Sequence, residues 1–448
     1  MVYDEYKNKL VSAEEAVKVV KSGDWVDFNS FNGFPITLEV ALAARKNELF
    51  DVKLRGSSVM KALECAENDP DRKHFIYHSY FFSKYERELH DRGLCNHIPV
   101  AFHERDSYYD DTFNDGIKTD VYMLQVCPMN EYGYFNFGPQ VNATRKCTEM
   151  AEIVIVEVNN LMPVALGGRD EMVHVSEVDY VVEGDNFPLL EIPPAKASEV
   201  EKAIANHLIA EIHEGSCIQL GIGGLPNQIG EMIAKSGIKH LGVHTEMLND
   251  SFVDMYEAGC IDGSKKAIDR FRMTYSFALG TERLYDFIDN NPICAISPGV
   301  YINNPNVICQ NPNMRAINNA LEIDLFGQVS SESVGDRQIS GTGGQWDFMK
   351  GAYMSPGGKG YICLSSTKTN SDGTRISRIA PTLSPGTIVT TPRWSVHYIA
   401  TEFGIVKLKG ASTWERAEAL ISIAHPDFRD ELIKQAHDMR IWRRTNRI

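Results

Sequence analysis

The chain has no C-x-x-C pair, no H-E-x-x-H motif and no apolar run long enough to span a membrane. Its longest apolar stretches, such as Ile153–Val158, have only strand length. The nine cysteines stand singly at 65, 95, 127, 147, 217, 260, 294, 309 and 363. That scatter excludes a zinc knuckle or a disulfide framework and reads as reduced thiols. The start, Met1–Lys9, is charged and lacks the apolar segment of a signal peptide, so a cytoplasmic location is expected. Positive charge is scarce as well: Lys and Arg total 45 against 60 Asp and Glu, a formal net charge of -15. Such a surface repels phosphate backbones and anionic lipid, which argues against nucleic acid or a membrane as partner. Any anionic ligand needs a local site that works against the global field.

What is present is ordinary globular composition, 43% hydrophobic and 23% charged over 448 residues, which suggests more than one domain. Helical and strand patterns alternate throughout, as in an α/β fold. Ser12-Ala-Glu-Glu15 is a capping box opening a helix, and Trp25–Phe28 reads as a strand after Gly23-Asp24. The same grammar returns at Ser198-Glu-Val-Glu201, followed by Gly215-Ser216 and the strand Cys217–Leu220. A second echo pairs Asp120–Val126 before Gly133 with Asp324–Val329 before Gly335. Together these predict two domains of one architecture, through internal duplication. Glu183 to Ala197 carries Pro188, Pro193 and Pro194, which deny it a helix and mark it as the linker. The expected domains are 1–195 and 196–448.

The strongest local signal is Cys217-Ile-Gln-Leu-Gly221-Ile-Gly-Gly-Leu-Pro226-Asn227, a strand running into a glycine loop and then a helix. Such a turn lets backbone N–H groups approach an anion or a developing oxyanion. A dinucleotide fingerprint is excluded, because its third glycine position holds Pro226; a plain tight turn remains the bland alternative. The next strand, Leu241–His244, stops at Thr245-Glu246-Met247. In open parallel sheets ligands bind beyond the carboxyl ends of strands, so Glu246 projects beside the glycine loop. A second cluster, Ser340-Gly-Thr-Gly-Gly-Gln345-Trp-Asp-Phe348, suggests two backbones converging on one ligand. Ser355–Gly360 reads as an ordinary loop before the strand Tyr361–Leu364. His74 and His78 lie in a β-rich segment, where their spacing does not build the paired ligand face of a helix, so they read as structural. No metal site is expected, and no G-x-S-x-G elbow supports a serine hydrolase. Of Tyr132, Tyr134, Phe135 and Phe137, at least two are expected in the core.

At these residues the chain resembles the family I CoA-transferases, in the branch of butyryl-CoA:acetate and 4-hydroxybutyrate CoA-transferases. The likeness rests on Gly221-Ile-Gly-Gly-Leu-Pro226, Leu241-Gly-Val-His-Thr-Glu-Met247, Asn318-Asn-Ala-Leu-Glu-Ile-Asp-Leu-Phe-Gly-Gln328 and Ser340-Gly-Thr-Gly-Gly-Gln345. The run Ala417–Arg429 and the end Ile441-Trp-Arg-Arg444 look like the butyryl-CoA:acetate members in particular. The likeness covers nearly the whole chain and is looser from Phe28 to Asp120. It implies two similar open α/β domains with the active site in the cleft between them, assembled as a homodimer or homotetramer. It carries the catalytic glutamate onto Glu246. It carries CoA contacts onto Gly221, Ile222, Gly223, Gly224 and Leu225, onto Leu321 and onto Gly344, and Gly343 is added as adjoining backbone. Coenzyme A is implied as substrate and covalent intermediate, with no permanently bound cofactor.

The implied chemistry transfers CoA between an acyl-CoA and a short-chain carboxylate. A glutamate with the ordinary pKa of about 4.3 is already an anion at neutral pH and needs no general base. Two further enzyme readings use the same residues, a 4-hydroxybutyrate CoA-transferase and an acyl-CoA hydrolase. A reading of another class is a non-catalytic acyl-CoA or sugar-phosphate binding module, for which Glu246 is dispensable. CoA is itself a polyanion, so Lys265, Lys266, Arg270 and Lys350 are candidates for its phosphates, each equally readable as a solvated charge.

Overall fold

The structure is a computed structural model and describes residues 2–110 and 116–441; the end of the C-terminal run, residues 442–444, lies outside them. By internal contact the chain forms two compact units, Met1–Pro193 with Thr274–Ile302, and Pro194–Met273 with Asn303–Ile448. One cut near 195 therefore does not describe them, because Thr274–Ile302 belongs with the first. Within that unit Phe277 stacks on Phe31 at 4.6 Å between ring centres. Asn32 Nδ2 donates to the Tyr285 hydroxyl at 2.9 Å, and that hydroxyl donates to the Leu190 carbonyl at 2.6 Å.

The first unit is built on a seven-stranded sheet. Its strands are β1 (Trp25–Phe28), β2 (Val52–Gly56), β3 (Phe75–Ser79), β4 (Cys95–His97), β5 (Val121–Val126), β6 (Ile153–Val158) and β7 (Tyr180–Glu183). The order is β4-β3-β2-β1-β5-β6-β7, every pair parallel. Parallel strands are covered on both faces, which is why β5 and β6 read as almost continuous apolar runs. Phe135 and Phe137 are fully buried, whereas Tyr132 is 70% and Tyr134 42% exposed. His74 Nδ1 sits 2.7 Å from the Leu49 carbonyl and His78 packs on Trp25, so both are engaged structurally.

The second unit contributes β8 (Cys217–Leu220), β9 (Gly242–His244), β10 (Met314–Asn319), β11 (Lys359–Cys363), β12 (Tyr398–Thr401) and β13 (Gly404–Lys407). They run β9-β8-β10-β11-β12-β13, all parallel except the final hairpin. Both sheets share a local plan: the first strand lies between its successor and a strand reached by a crossover. That arrangement makes a switch point beside β1 and another beside β8.

The helix α1 (Glu199–Ile209) opens with the expected capping box, Ser198 Oγ accepting the Glu201 N–H and Glu201 accepting the Ser198 N–H. Ser12 also accepts from the Glu15 N–H, but the helix it starts lasts only Ala13–Ala16 before a 3₁₀ turn, Val17–Val19. From Gly184 to Ala197 the backbone is neither helix nor strand.

The echo between Asp120–Val126 and Asp324–Val329 does not survive. The counterpart of β5, beside the first strand of its own sheet, is β10. Asp324–Gln328 is instead a tight turn in which the Asp324 carboxylate accepts the Phe326 and Gln328 N–H groups at 3.0 and 2.9 Å. An Asp ahead of a Gly marks such a turn as readily as it marks a strand boundary. Among the described residues all nine cysteines are free thiols, no cluster of ligand residues could hold a metal ion, and no helix is long and apolar enough to cross a membrane.

Candidate active site

Residues from three strand ends of the second unit meet at its switch point. Strand β8 runs into Gly221, and Gly223, at φ +115°, starts helix α2 (Gly224–Ser236) from a conformation that a side chain strains. A Cβ on Gly221 or Gly223 would meet nothing within 4 Å, and Ile222 is 49% exposed. The next two residues turn inward. A Cβ on Gly224 would come within 2.8 Å of Glu201 Oε2, and the Leu225 N–H donates to Glu201 Oε1 at 3.2 Å. The capping glutamate of α1 thus occupies the start of α2, and the accessible part of the loop is Gly221–Gly223.

Beyond β9 the chain is pinned at Thr245, whose hydroxyl donates to the Met247 carbonyl at 3.0 Å. Asn249 Nδ2 donates to the Gly221 carbonyl at 3.0 Å, tying the glycine loop to the segment that carries Glu246. At the end of β10 the Leu321 N–H donates to the Ser330 carbonyl at 2.9 Å. Gln345 Nε2 donates to the Asn319 carbonyl at 2.7 Å, while its Oε1 accepts from the Ser331 and Thr391 hydroxyls, each at 2.9 Å. Gln345 is the first residue of helix α3 (Gln345–Met354), with Gly344 as its N-cap. One side chain therefore moors the second glycine loop to the turn that carries Leu321.

Glu246 lies where these loops meet. Its Oε2 accepts from Asn303 Nδ2 at 2.6 Å, and the same nitrogen lies 3.4 Å from Asp347 Oδ2. Asn303 and Asp347 are fully buried, and Asn303 Oδ1 has no hydrogen-bond partner among the described residues. Position 344 has to be glycine: a Cβ there would overlap both Glu246 Oε2 and Asn303 Nδ2. Burial pushes the Glu246 carboxyl up to about 7, with the Asp347 charge adding to the rise and the Asn303 and Gly344 N–H groups opposing it. The surroundings therefore disfavour the charged form that the ordinary value of a glutamate would give at neutral pH.

Of the sequence-derived residues, Glu246 and Gly344 are in contact, and Gly221 and Leu321 are linked to them through Asn249 and Gln345. Gly343 precedes the N-cap with φ +57°. Gly224 and Leu225 are turned towards Glu201. Asn303 and Asp347 were missed. Asp347 was within reach, since it stands three residues after Gly344 on the first turn of a helix; Asn303 has no local signature. Lys266 is excluded from phosphate binding, because it is buried and its ammonium donates to the Val243 and Arg272 carbonyls at 2.8 and 2.9 Å. The site can supply a half-buried carboxylate nucleophile with an amide donor already placed on one of its oxygens. That donor also meets any oxyanion that forms on that oxygen.

Comparison with known proteins gives the chain's affiliation. It is 48% identical over 445 residues to the butyryl-CoA:acetate CoA-transferase of Anaerostipes caccae, covering 99% of each chain. This chain belongs to the acetyl-CoA hydrolase/transferase family. Residues 1–193 match the acetyl-CoA hydrolase/transferase N-terminal domain and residues 280–436 the C-terminal domain of that family. The 4-hydroxybutyrate coenzyme A transferase of Clostridium kluyveri is 39% identical, covering 96% of this chain and 97% of its own. Among solved structures, RipA from Yersinia pestis superposes with a TM-score of 0.88 at 34% identity, over 98% of this chain and 99% of its own. The two sheets described above are thus the fold of this hydrolase/transferase family.

Proposed function

We propose that the protein is an acyl-CoA:acetate CoA-transferase, converting butyryl-CoA and acetate to butyrate and acetyl-CoA. The observation that carries the reading is the half-buried Glu246 carboxyl just beyond a strand end, with Asn303 Nδ2 on its oxygen and a Cβ at 344 crowding it. The greater likeness to the butyryl enzyme than to the 4-hydroxybutyrate enzyme selects the acyl group.

In this reading ionised Glu246 attacks the thioester carbonyl, the C–S bond breaks, and CoA leaves as thiolate with an acyl-glutamyl anhydride behind it. The thiolate then attacks the glutamyl carbonyl; the anhydride C–O bond breaks, butyrate departs, and a glutamyl-CoA thioester remains. Acetate attacks that thioester and the two steps run in reverse. When the oxyanion at the glutamyl carbon falls on Oε2, Asn303 Nδ2 already faces it, a contribution of roughly 3 kcal/mol for such a donor in comparable sites. Gly221, Ile222, Gly223, Gly224, Leu225, Leu321, Gly343 and Gly344 are assigned to CoA, with Gly221–Gly223 as the open part of the first loop. The reading includes a homodimeric or homotetrameric assembly and a cytoplasmic setting.

Borohydride treatment after incubation with butyryl-CoA alone tests it. The expected result is inactivation with residue 246 converted to the alcohol, read by peptide mass, and a mass change elsewhere moves the nucleophile. Full-rate CoA release without acetate makes the protein a hydrolase instead, full activity in Glu246→Ala refutes the mechanism, and acyl-CoA binding with no turnover in the wild-type protein marks a binding module.

A further inference from the structure

The nucleophile does not stand alone in its pocket. Asn303 offers one nitrogen to two carboxylates, Glu246 Oε2 at 2.6 Å and Asp347 Oδ2 at 3.4 Å. Its other polar atom, Oδ1, is buried and unpaired among the described residues. An unpaired buried acceptor is costly, so something must hold the amide in this orientation. A negative charge beside the amide does so: turning Oδ1 towards two carboxylates would set three acceptors against one another. Asp347 stands on the first turn of α3, where the helix dipole favours an anion.

On the CoA-transferase reading above, we propose that Asp347 is a positioning residue that keeps Asn303 turned as a donor towards Glu246 throughout the reaction. The need arises in the covalent states. While Glu246 is an anion it orients the amide by itself. Once acylated or bound to CoA it is neutral, and only Asp347 then holds the Asn303 nitrogen against the oxygen that must become an oxyanion. Asp347 also acts on the first step. When Glu246 attacks, its charge is lost into the new C–O bond, and the repulsion between the two carboxylates goes with it. The pair is a device that favours the covalent intermediate over the resting carboxylate.

The charged group facing Glu246 from α3 is Asp347. The Asn303 side chain carries no charge, and His244, two residues back on its own strand, packs its ring against Phe348.

The test is Asp347→Asn, which preserves shape and removes charge. The expected result is a fall in kcat of roughly 10–100-fold with little change in KM for butyryl-CoA. The acid limb of kcat/KM, which reports the free enzyme, should move to lower pH. Unchanged kcat, or a lowered kcat with the limb at the wild-type pH, overturns the proposal. Asp347→Glu keeps the charge but displaces it by a methylene. It is expected to lower kcat and leave the limb in place, and it serves if the Asn variant does not fold; a limb moved to lower pH in Asp347→Glu counts against the idea. Acetate-dependent exchange by the wild-type protein separately tests the transferase reading. If that fails, infrared titration of the Glu246 carboxyl in wild type and Asp347→Asn still decides the electrostatic coupling: a lowered midpoint supports it and an unchanged one ends it.

Discussion

Glu246 shows how a common residue acquires an uncommon property from its surroundings. A carboxyl pushed up to about 7 binds a proton more tightly in the folded chain than in the unfolded one, whose ordinary value is 4.5. Stability is therefore lost as pH rises from the unfolded value through the folded one, and the full cost is present above neutrality. Glu246→Gln removes that cost. Urea unfolding should show the variant more stable than wild type at pH 8, by roughly 2–3 kcal/mol, and equal to it near pH 4. An equal gain at both pH values would place its origin in packing. The sequence identified this residue through its position at a strand end beside a glycine loop. It could not disclose the titration, which depends on Asn303 and Asp347 arriving from distant parts of the chain.

Helix α3 brings Gly344 and Asp347 to Glu246, and its mooring through Gln345 fixes where it starts. The glycine at its N-cap is required by proximity and not by backbone angle: φ is -97° there, which any residue adopts. Gly344→Ala should therefore fold with a Tm within a few degrees of wild type, yet lose at least ~100-fold in kcat, because the methyl displaces Glu246 and Asn303. Equal kcat in the alanine variant would show that the loop yields. At this scale much was legible. The Ser198 capping box, β8, β9 and both glycine loops follow from short-range patterns that local physics enforces. Asp324–Val329 was misread because a turn-forming Asp has the same local appearance in a strand boundary, and only the sheet's order distinguishes them. Likewise, that Glu201 would claim the Leu225 N–H lay beyond any window containing the loop alone.

For the whole molecule, two α/β domains were readable from alternation and from the proline-marked linker. The return of Thr274–Ile302 to the first unit was not, because no composition change accompanies it. That segment supplies Phe277, which stacks on Phe31, and Tyr285, whose hydroxyl meets Asn32 and the Leu190 carbonyl. A fragment comprising residues 1–195 lacks those side chains and leaves their partners bare. It should bind a hydrophobic dye and unfold without a cooperative transition, whereas a cooperative fragment would show the segment to be dispensable. The charge of -15 argues against extended anionic partners but leaves open a small anion held at one switch point.

The point at which the chain re-enters its second unit has a consequence for biosynthesis. Asn303 is the first residue after that return, and Gly344 and Asp347 follow it. A ribosome therefore delivers Glu246 well before any of the groups that hold it. A truncated or still-emerging chain has the carboxylate without its donors and its charged neighbour, and so cannot capture acyl-CoA in a half-built site. Order of synthesis completes the surroundings of Glu246 last, after the segment belonging to the first unit has been made.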